Sequence, residues 1–344
     1  MQDLFDKYKG LSIAVLGDYC LDEYLWIDAA LNEASLETGL VAYQCVKQES
    51  FPGAAGTVAK NLANLGVGTV YAVGYAGNDG RGLELAQGLD RLSINREFLI
   101  TAPTRATPAY VKPWITEKGT TNEMNRIDIK NHTTTPPELE DAILKNLAEL
   151  LPRLDALIVL DHMTEEDCGV VTKKVRTALS QIAKDNPNCL MYADSRCRIG
   201  QFESMMIKGN QFEICHAVFG LKNAAPGIQL AADPTVERTE EEINHACQIL
   251  QARNGRPVIC TMGDQGLRIY HQGPTIEIPG IPLSGQLDVC GAGDMVSSTF
   301  VSSLAAGADM KAAGELSNVA ASICVQQLGT SGNVTTELLL EAIL

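Results

Sequence analysis

Short apolar runs alternate along this chain with longer segments in which apolar residues recur at helical spacing. Each run, such as SIAVLG at 12–17, is short enough to form one buried strand. Strands that alternate with helices in this way predict βαβ units and a parallel sheet. The predicted strands are 12–17, 69–74, 155–160, 190–193, 218–219 and 257–261, and the predicted helices are 53–66, 79–91, 166–184, 237–253, 292–306, 310–327 and 335–344.

Two stretches depart from this alternation of strands and helices. Residues 21–50 contain short apolar segments without a sustained helical period, and residues 104–130 alternate like a β-hairpin with Lys118 and Gly119 near the turn. We predict that both stretches are excursions from an α/β core and that together they form a small β layer, a lid. With this lid, residues 1–344 are expected to form a single domain.

The predicted lid also indicates how copies of the chain could associate. Its outer face would be partly apolar, because Tyr24, Trp26, Val111 and Trp114 all fall in the two stretches. A β layer with an apolar face or a bare edge tends to find a partner. We therefore predict a homodimer through the lid.

The charge balance narrows the class of binding partner. The chain has 344 residues and a formal net charge of −15, with a pI near 4.8. This balance argues against a nucleic-acid groove and against an anionic membrane surface. A local pocket of opposite sign can still bind an anionic substrate.

Cysteine usage and the N-terminus indicate a compartment. The ten cysteines include no C-x-x-C pair, which is typical of reduced thiols rather than of zinc sites or disulfides. The start, MQDLFDKYKG, lacks the basic residues followed by an apolar stretch of a signal peptide, and no apolar run is long enough for a membrane span. We expect a cytoplasmic protein.

The stretch DVCGAGDMVSSTF at 288–300 places a carboxylate where a glycine turn leads into a predicted helix. The backbone amides of Gly291, Ala292 and Gly293 would form a nest that suits a phosphate or a developing negative charge. Beside them, the Asp294 carboxylate could accept a proton. On the pattern alone, a helix cap or a solvated acid in the first turn is an equally good interpretation.

Two familiar phosphate-binding signatures are absent. The sequence contains no Gly-Lys dipeptide, so it has no Walker A loop. No G-x-G-x-x-G follows the first strand, and this disfavours a nicotinamide-dependent oxidoreductase.

Several segments, in order, resemble signatures of the PfkB/ribokinase family of carbohydrate kinases, and the pattern is most similar to its heptose-phosphate kinase branch. They are GDYCLDEY (17–24), PGAAGTVAKNLANLG (52–66), VKPWI, MNRIDI, LDHMTEEDCGVVT, IKGNQFE (207–213), TMGDQGL (261–267), DVCGAGD (288–294) and SNVAASICVQQLGTSG (317–332). The resemblance implies a ribokinase-like three-layer α/β/α fold with a central, mostly parallel sheet and a small β lid.

The resemblance also implies an activity. It is transfer of the γ-phosphoryl group of ATP, with Mg²⁺, to a hydroxyl of a sugar or sugar phosphate, with a heptose phosphate among the candidates. A nucleoside kinase of the same family and a non-catalytic sugar or nucleotide sensor remain alternatives.

Residue roles follow from the same resemblance. Asp294 matches the catalytic base, and Gly291, Ala292 and Gly293 match the anion hole. The matched nucleotide-binding positions are Asn210, Glu213, Thr261, Gly263, Gly266 and Asn318, and the matched substrate-binding positions are Asp22, Gly53, Ala54, Thr57 and Asp161.

Cations are implied at two places. Asn210 and Glu213 match the pair that organises Mg²⁺ through water, although a helix cap and a first-turn acid would explain the same residues. Asp288 matches a position that in some members helps to bind a monovalent cation such as K⁺, and a turn-capping aspartate is an equal alternative.

Departures from the family pattern concentrate on the sugar side. Cys20, Ala54, Thr57 and His162 stand where other residues are usual, so the acceptor stays open while the phosphoryl-transfer half matches. Further charges have two interpretations each. Arg105, Lys112 and Arg126 could reach a substrate phosphate or be solvated, and the triplet at 194–196 (DSR) could line the site or form a structural turn.

Overall fold

The computed structural model describes residues 1–220, 238–328 and 332–343. The strands are β1 (Ser12–Gly17), β2 (Tyr19–Asp28), β3 (Glu33–Ala34), β4 (Val41–Ala42), β5 (Cys45–Ala54), β6 (Thr69–Gly77), β7 (Leu99–Ala102), β8 (Ala109–Glu117), β9 (Thr120–Glu123), β10 (Ile127–Ile129), β11 (Ala156–Asp161), β12 (Leu190–Ser195), β13 (Met206–Asn210), β14 (Val258–Thr261), β15 (Gly266–Tyr270) and β16 (Ile276–Pro279). The α-helices are α1 (Gln2–Tyr8), α2 (Ala55–Asn64), α3 (Gly80–Arg91), α4 (Pro137–Leu150), α5 (Lys173–Asp185), α6 (Gln211–Phe219), α7 (Glu240–Asn254), α8 (Ala292–Ala305), α9 (Met310–Cys324) and α10 (Thr336–Ile343).

Within the described residues the main sheet has nine strands, in the order β16-β15-β14-β13-β12-β11-β1-β6-β7. The strands from β14 to β7 pair in parallel, and β15 and β16 add an antiparallel edge. The carboxyl ends of parallel strands meet at one edge, which is where open α/β sheets bind ligands. The ends of β12, β13 and β14 therefore bring Asp194, Asn210 and Thr261 to the same side.

Helices cover both faces of the main sheet. Successive residues of β1 point to opposite faces, so Val15 packs in one core with Val58 of α2 and Phe300 of α8. Leu16 packs in the other core with Leu179 of α5. Helices α9 and α10 join the first core, and α4, α6 and α7 join the second. The result is the predicted three-layer α/β/α arrangement.

A second sheet forms from the two stretches that break the strand–helix rhythm. Its order is β10-β8-β2-β5, and β9 pairs with β8. The β8–β9 hairpin turns at Lys118 and Gly119, whose φ values of 52° and 81° suit the tight turn of a hairpin. This agrees with the predicted hairpin position.

The prediction of one apolar outer face on this sheet is wrong in part. In the β2–β8 register, Trp26 pairs with Trp114, whereas Val111 pairs with Glu23. Because side chains alternate along a strand, Val111 lies on the face opposite to the tryptophans. It is buried there, so only one face carries the aromatic cluster.

Several predicted element boundaries need correction. Residues 218–219 belong to helix α6 and not to a strand. Residues 53–54 complete strand β5 before α2 begins. Helix α5 begins at Lys173 rather than at 166, because Thr172 caps it by accepting from the amide of Val175. Residues 237 and 344 of two predicted helices lie outside the described residues.

Candidate active site

Gly291 and Asp294 define the turn into helix α8. Gly291 precedes the helix with a φ of 80° and a ψ of −4°, a left-handed conformation that glycine adopts without a steric penalty. Its position makes Gly291, not Asp294, the N-cap. No hydrogen bond joins the Asp294 carboxylate to a described residue, so this side chain does not cap the helix.

The surroundings of Asp294 favour a proton acceptor. Burial raises the pKa of Asp294 to about 6, the Asp194 carboxylate adds to the rise, and Lys208 and Arg196 oppose it. A general base works best when its pKa lies near the working pH. The carboxylate can therefore be ionised at neutral pH and still take a proton from a hydroxyl.

A buried ion pair lies beneath the glycine turn. Lys208 of β13 sits beside Asp194 of β12 in the sheet register, and its Nζ lies 2.6 Å from Asp194 Oδ2. Ser297 of α8 donates a second hydrogen bond to the same oxygen, at 3.2 Å. A Cβ at Gly293 would come within 2.8 Å of the Lys208 ammonium, so a larger residue there would displace the ammonium from its place.

Two of the molecule's cavities meet at this turn, and the larger of these two has a volume of about 590 Å³. It is lined by every predicted nucleotide-binding position, by the three predicted anion-hole residues and by Asp294. Its lining also includes residues that the sequence did not assign to the site. The predicted members are Asn210, Glu213, Thr261, Gly263, Gly266, Gly291, Ala292, Gly293, Asp294 and Asn318, and the additional polar ones include His162, Asp194, Arg196 and Lys208.

Asn210 and Glu213 form a capping box at the start of α6. The Asn210 side chain accepts from the amide of Glu213 at 2.9 Å, and the Glu213 carboxylate accepts from the amide of Asn210 at 2.8 Å. Burial raises the pKa of Glu213 to about 7, and Asp194 adds to the rise. A cation would offset this crowding of carboxylates, and oxygen ligands of this kind fit Mg²⁺. The structure thus contains the helix cap, and the metal role stays a prediction.

A smaller cavity of about 140 Å³ lies toward the second sheet. It contains the predicted substrate positions Asp22, Ala54 and Thr57, joined by Tyr110, Lys112 and Arg126. Ala54 has a φ of 50° where β5 passes into α2, a conformation that is strained for a residue with a Cβ. Ala54, one of the departures from the family pattern, thus lies in the wall of this cavity.

The two cavities meet at Asp294. Five residues line both of them: His162, Arg196, Cys290, Gly291 and Asp294. Burial lowers the pKa of His162 to about 3, and Arg196 lowers it further. The imidazole at this junction is therefore neutral at physiological pH.

Two cationic side chains at the second sheet contact different partners. Lys112 lies 3.2 Å from the Asp22 carboxylate and donates to the Tyr24 hydroxyl at 3.2 Å. Arg126 lies over the ring of Tyr110, 4.8 Å from its centroid. Both side chains line the smaller cavity.

Arg105 lies away from the smaller cavity. Its guanidinium is buried and donates to the carbonyls of Thr133 at 2.9 Å and Cys168 at 2.6 Å. It holds two loops together and lines neither cavity.

Three predicted residues also lie outside both cavities. A Cβ at Gly53 would come within 2.8 Å of Asp22 Oδ2, so this glycine lets Asp22 pack closely. Asp161 is buried, and its Oδ1 accepts from Arg198 Nη2 at 2.7 Å. Asp288 Oδ1 accepts a hydrogen bond from the amide of Cys290 at 2.9 Å. This is the turn-capping interaction that the sequence offered as the alternative to a cation site. A monovalent cation near Asp288 stays a prediction.

The chain is similar to proteins of a known family. Residues 18–337 match the pfkB family carbohydrate kinases. The chain belongs to the PfkB family. This confirms the resemblance seen in the sequence.

Curated relatives of this PfkB-family chain include two bacterial proteins named "Bifunctional protein HldE". The protein from Nitrobacter winogradskyi is 27% identical over 339 residues, which cover 97% of this chain and 64% of the relative. The protein from Desulfatibacillum aliphaticivorans is 27% identical over 325 residues, which cover 94% and 61%. The chain thus spans less than two thirds of the length of these relatives.

Solved structures confirm the ribokinase-like fold. Arabidopsis thaliana ribokinase complexed with ribose and ATP aligns with a TM-score of 0.69 at 18% identity, covering 97% of this chain and 98% of the ribokinase. Escherichia coli phosphofructokinase-2 in complex with fructose-6-phosphate aligns with a TM-score of 0.69 at 16% identity, covering 96% and 97%. Among the described residues, none of the helices combines the length and apolar character needed to cross a bilayer.

Proposed function

We propose that this chain is an ATP-dependent kinase that transfers the γ-phosphoryl group to a hydroxyl of a sugar or sugar phosphate. The observation that carries the proposal is the position of Asp294, which lines both cavities at their junction. A nucleotide in the larger cavity and an acceptor in the smaller one would meet at this carboxylate. Family membership and the structure of ribokinase complexed with ribose and ATP support the same assignment.

The proposed reaction needs few covalent roles from the protein. The acceptor oxygen attacks the γ-phosphorus and its proton passes to Asp294, while the bond from phosphorus to the leaving oxygen of ADP breaks. The amides of Gly291, Ala292 and Gly293 stabilise the charge on the transferring group. Phosphoryl transfer depends mainly on such positioning and charge stabilisation.

Asn210 and Glu213 are the residues that would hold Mg²⁺, through water. When bound, Mg²⁺ neutralises charge on the nucleotide phosphates. The capping box supports this role because it fixes both side chains at the wall of the larger cavity.

Charge in the smaller cavity supports a phosphorylated acceptor. Three cations line it (Lys112, Arg126 and Arg196) against two carboxylates (Asp22 and Asp294). Lys112 is paired with Asp22 and Arg126 with Asp128, so the support comes from cations placed where they could bind a phosphate and not from a net positive charge. The similarity to the HldE proteins and to phosphofructokinase-2 with fructose-6-phosphate agrees with such an acceptor, and a heptose phosphate is one candidate.

ATP consumption across a panel of acceptors tests the proposal. The panel contains ribose, fructose 6-phosphate, a heptose phosphate, their unphosphorylated counterparts and adenosine, each with Mg²⁺ and ATP. We expect turnover with at least one sugar phosphate and its loss in Asp294→Asn. Turnover of adenosine alone would favour the nucleoside kinase alternative, and ATP binding without any turnover would favour the sensor.

We also propose that a second copy of the chain packs against the lid. Apolar side chains are exposed in the connection between β2 and β5, which contains β3 and β4, and at the start of β5. They are Leu31, Leu36, Leu40, Val41, Tyr43 and Val46. Exposed apolar patches of this kind often mark protein interfaces.

For the cellular compartment, we propose the cytoplasm. Within the described residues the cysteines form no disulfide bond, as is usual where thiols are kept reduced.

A further inference from the structure

Among the described residues, Arg196 is the only cationic residue that lines both cavities. It follows the last residue of β12 and lines both cavities. Lys208 lines only the larger cavity, and Lys112 and Arg126 line only the smaller one. The junction between nucleotide and acceptor thus has a single guanidinium within the described chain.

The Arg196 side chain is available for a ligand. It is exposed, and its guanidinium makes no hydrogen bond or ion pair with any residue of the described ranges. The nearby Arg198 differs, because it is buried and bonded to both oxygens of Asp161, at 2.7 and 3.0 Å. The protein therefore uses one arginine of this loop to hold the loop in place and leaves the other directed to the cavities.

The charge of Arg196 also affects the pKa values of residues at the junction of the cavities. It lowers the pKa of His162 after burial does, and it opposes the rise in the pKa of Asp294 that burial and Asp194 cause. Both of these residues line the junction. The positive charge thus acts where a phosphoryl group in transfer would carry its negative charge.

We propose that Arg196 is a catalytic residue that contacts the transferring phosphoryl group and stabilises its charge together with the amides of Gly291, Ala292 and Gly293. This inference rests on the proposed kinase function. Arg196 supplies charge stabilisation and takes no part in the proton transfer. The new bond joins the acceptor oxygen to the γ-phosphorus, the electron pair of the broken bond goes to ADP, and the acceptor proton goes to Asp294.

The first test compares Arg196→Ala and Arg196→Lys with the unchanged protein. We expect kcat to fall about 10²–10³-fold in Arg196→Ala, as for other single charge stabilisers, with KM for ATP and acceptor within a few-fold. A lysine should restore part of the rate, because it keeps the charge but loses the planar fork. Added guanidinium ion should also rescue Arg196→Ala, whereas it should not rescue Asp294→Asn.

Arg253→Ala is the matched control, because Arg253 is exposed on α7 and lines neither cavity. It should leave kcat and KM unchanged. A rise in KM for phosphorylated acceptors alone, with kcat intact, would assign Arg196 to the acceptor's own phosphate and overturn the proposal. A kcat that stays within threefold would overturn it as well.

A second measurement does not depend on turnover. ADP with Mg²⁺ and aluminium fluoride imitates the transferring group, and its binding can be followed by calorimetry. We expect Arg196→Ala to bind this complex at least about 30-fold more weakly than the unchanged protein and to bind ADP with Mg²⁺ equally well. Equal weakening of both, or of neither, contradicts the role. If no acceptor were turned over, the kinase proposal would fail while this comparison would still decide the role of Arg196.

Discussion

Lys208 Nζ lies 2.6 Å from Asp194 Oδ2, and both side chains are buried between β12 and β13, beneath the glycine turn. This ion pair affects both the packing of the glycine turn and the pKa of Asp294. Its ammonium fills the space beside Gly293, and its carboxylate raises the pKa of Asp294 after burial does. A change in either partner should therefore affect both stability and the reaction centre.

Removal of the ammonium should destabilise the protein. Lys208→Met leaves the Asp194 carboxylate buried without its ion-pair partner, which typically costs about 3–5 kcal/mol. Urea unfolding measures this loss. The double variant Asp194→Asn with Lys208→Met removes both charges and should recover a large part of it. A single variant as stable as the parent would mean that the pair contributes nothing to folding.

Asp294→Asn should separate catalysis from stability. As a general base, Asp294 should contribute roughly 10²–10⁴-fold to the rate. Its folded pKa of about 6 lies above the ordinary 3.8, so the folded state binds more protons than the unfolded state between these values, and stability falls as pH rises through this window.

Asparagine carries no charge, so Asp294→Asn removes the free-energy cost of keeping a buried carboxylate ionised in the folded state. We expect Asp294→Asn to be about 1–2 kcal/mol more stable than the parent at pH 8 and no more stable at pH 4. Chemical denaturation at both pH values measures the difference. A variant that lost stability at pH 8 while retaining normal turnover would restore the helix-cap interpretation.

The pH dependence of the rate should report the same group. Protonated Asp294 cannot accept the acceptor proton, so kcat should fall as pH drops below about 6, the value to which burial raises the pKa of Asp294. Initial rates at saturating Mg²⁺ and ATP give the profile. Because Glu213 also titrates, the profile is repeated in Glu213→Gln, where the inflection should persist. A flat profile down to pH 5 would argue against Asp294 as the base.

Glu213→Gln should act through Mg²⁺. Glutamine can keep the capping box at Asn210, so the melting temperature should change little. Loss of the carboxylate charge should raise the Mg²⁺ concentration at half-maximal rate several-fold and leave KM for the acceptor nearly unchanged. Titrations of Mg²⁺ and acceptor in the same variant check this, and a shift in acceptor KM alone would make the assignment wrong.

The proposed dimer should depend on the exposed apolar side chains of the lid. Leu36→Ser combined with Leu40→Ser should convert the dimer to a monomer, as measured by light scattering at micromolar concentration. Leu83→Ser is the matched control, since Leu83 is also exposed but lies on α3. A parent protein that is monomeric under these conditions would rule the proposed dimer out.

Local sequence patterns determined much of this protein. Alternation of apolar runs with helical segments predicts βαβ units and a parallel sheet, and the family resemblance adds the three-layer arrangement. A glycine turn before a helix predicts a nest of amides at Gly291, Ala292 and Gly293 that suits an anion, because free amides at a helix start are a local property of the backbone. Lys118 and Gly119 likewise predict their own hairpin turn.

Other features depend on contacts between residues far apart in the chain, and only the tertiary structure decided them. Sheet register places Asp194 beside Lys208, a neighbour that no local pattern specifies. Asp161 could equally have faced a ligand or a buried partner, and packing of the following loop gave it Arg198. The same packing left Arg196 at the junction of the cavities, because the position of a charged side chain follows from which surfaces meet around it.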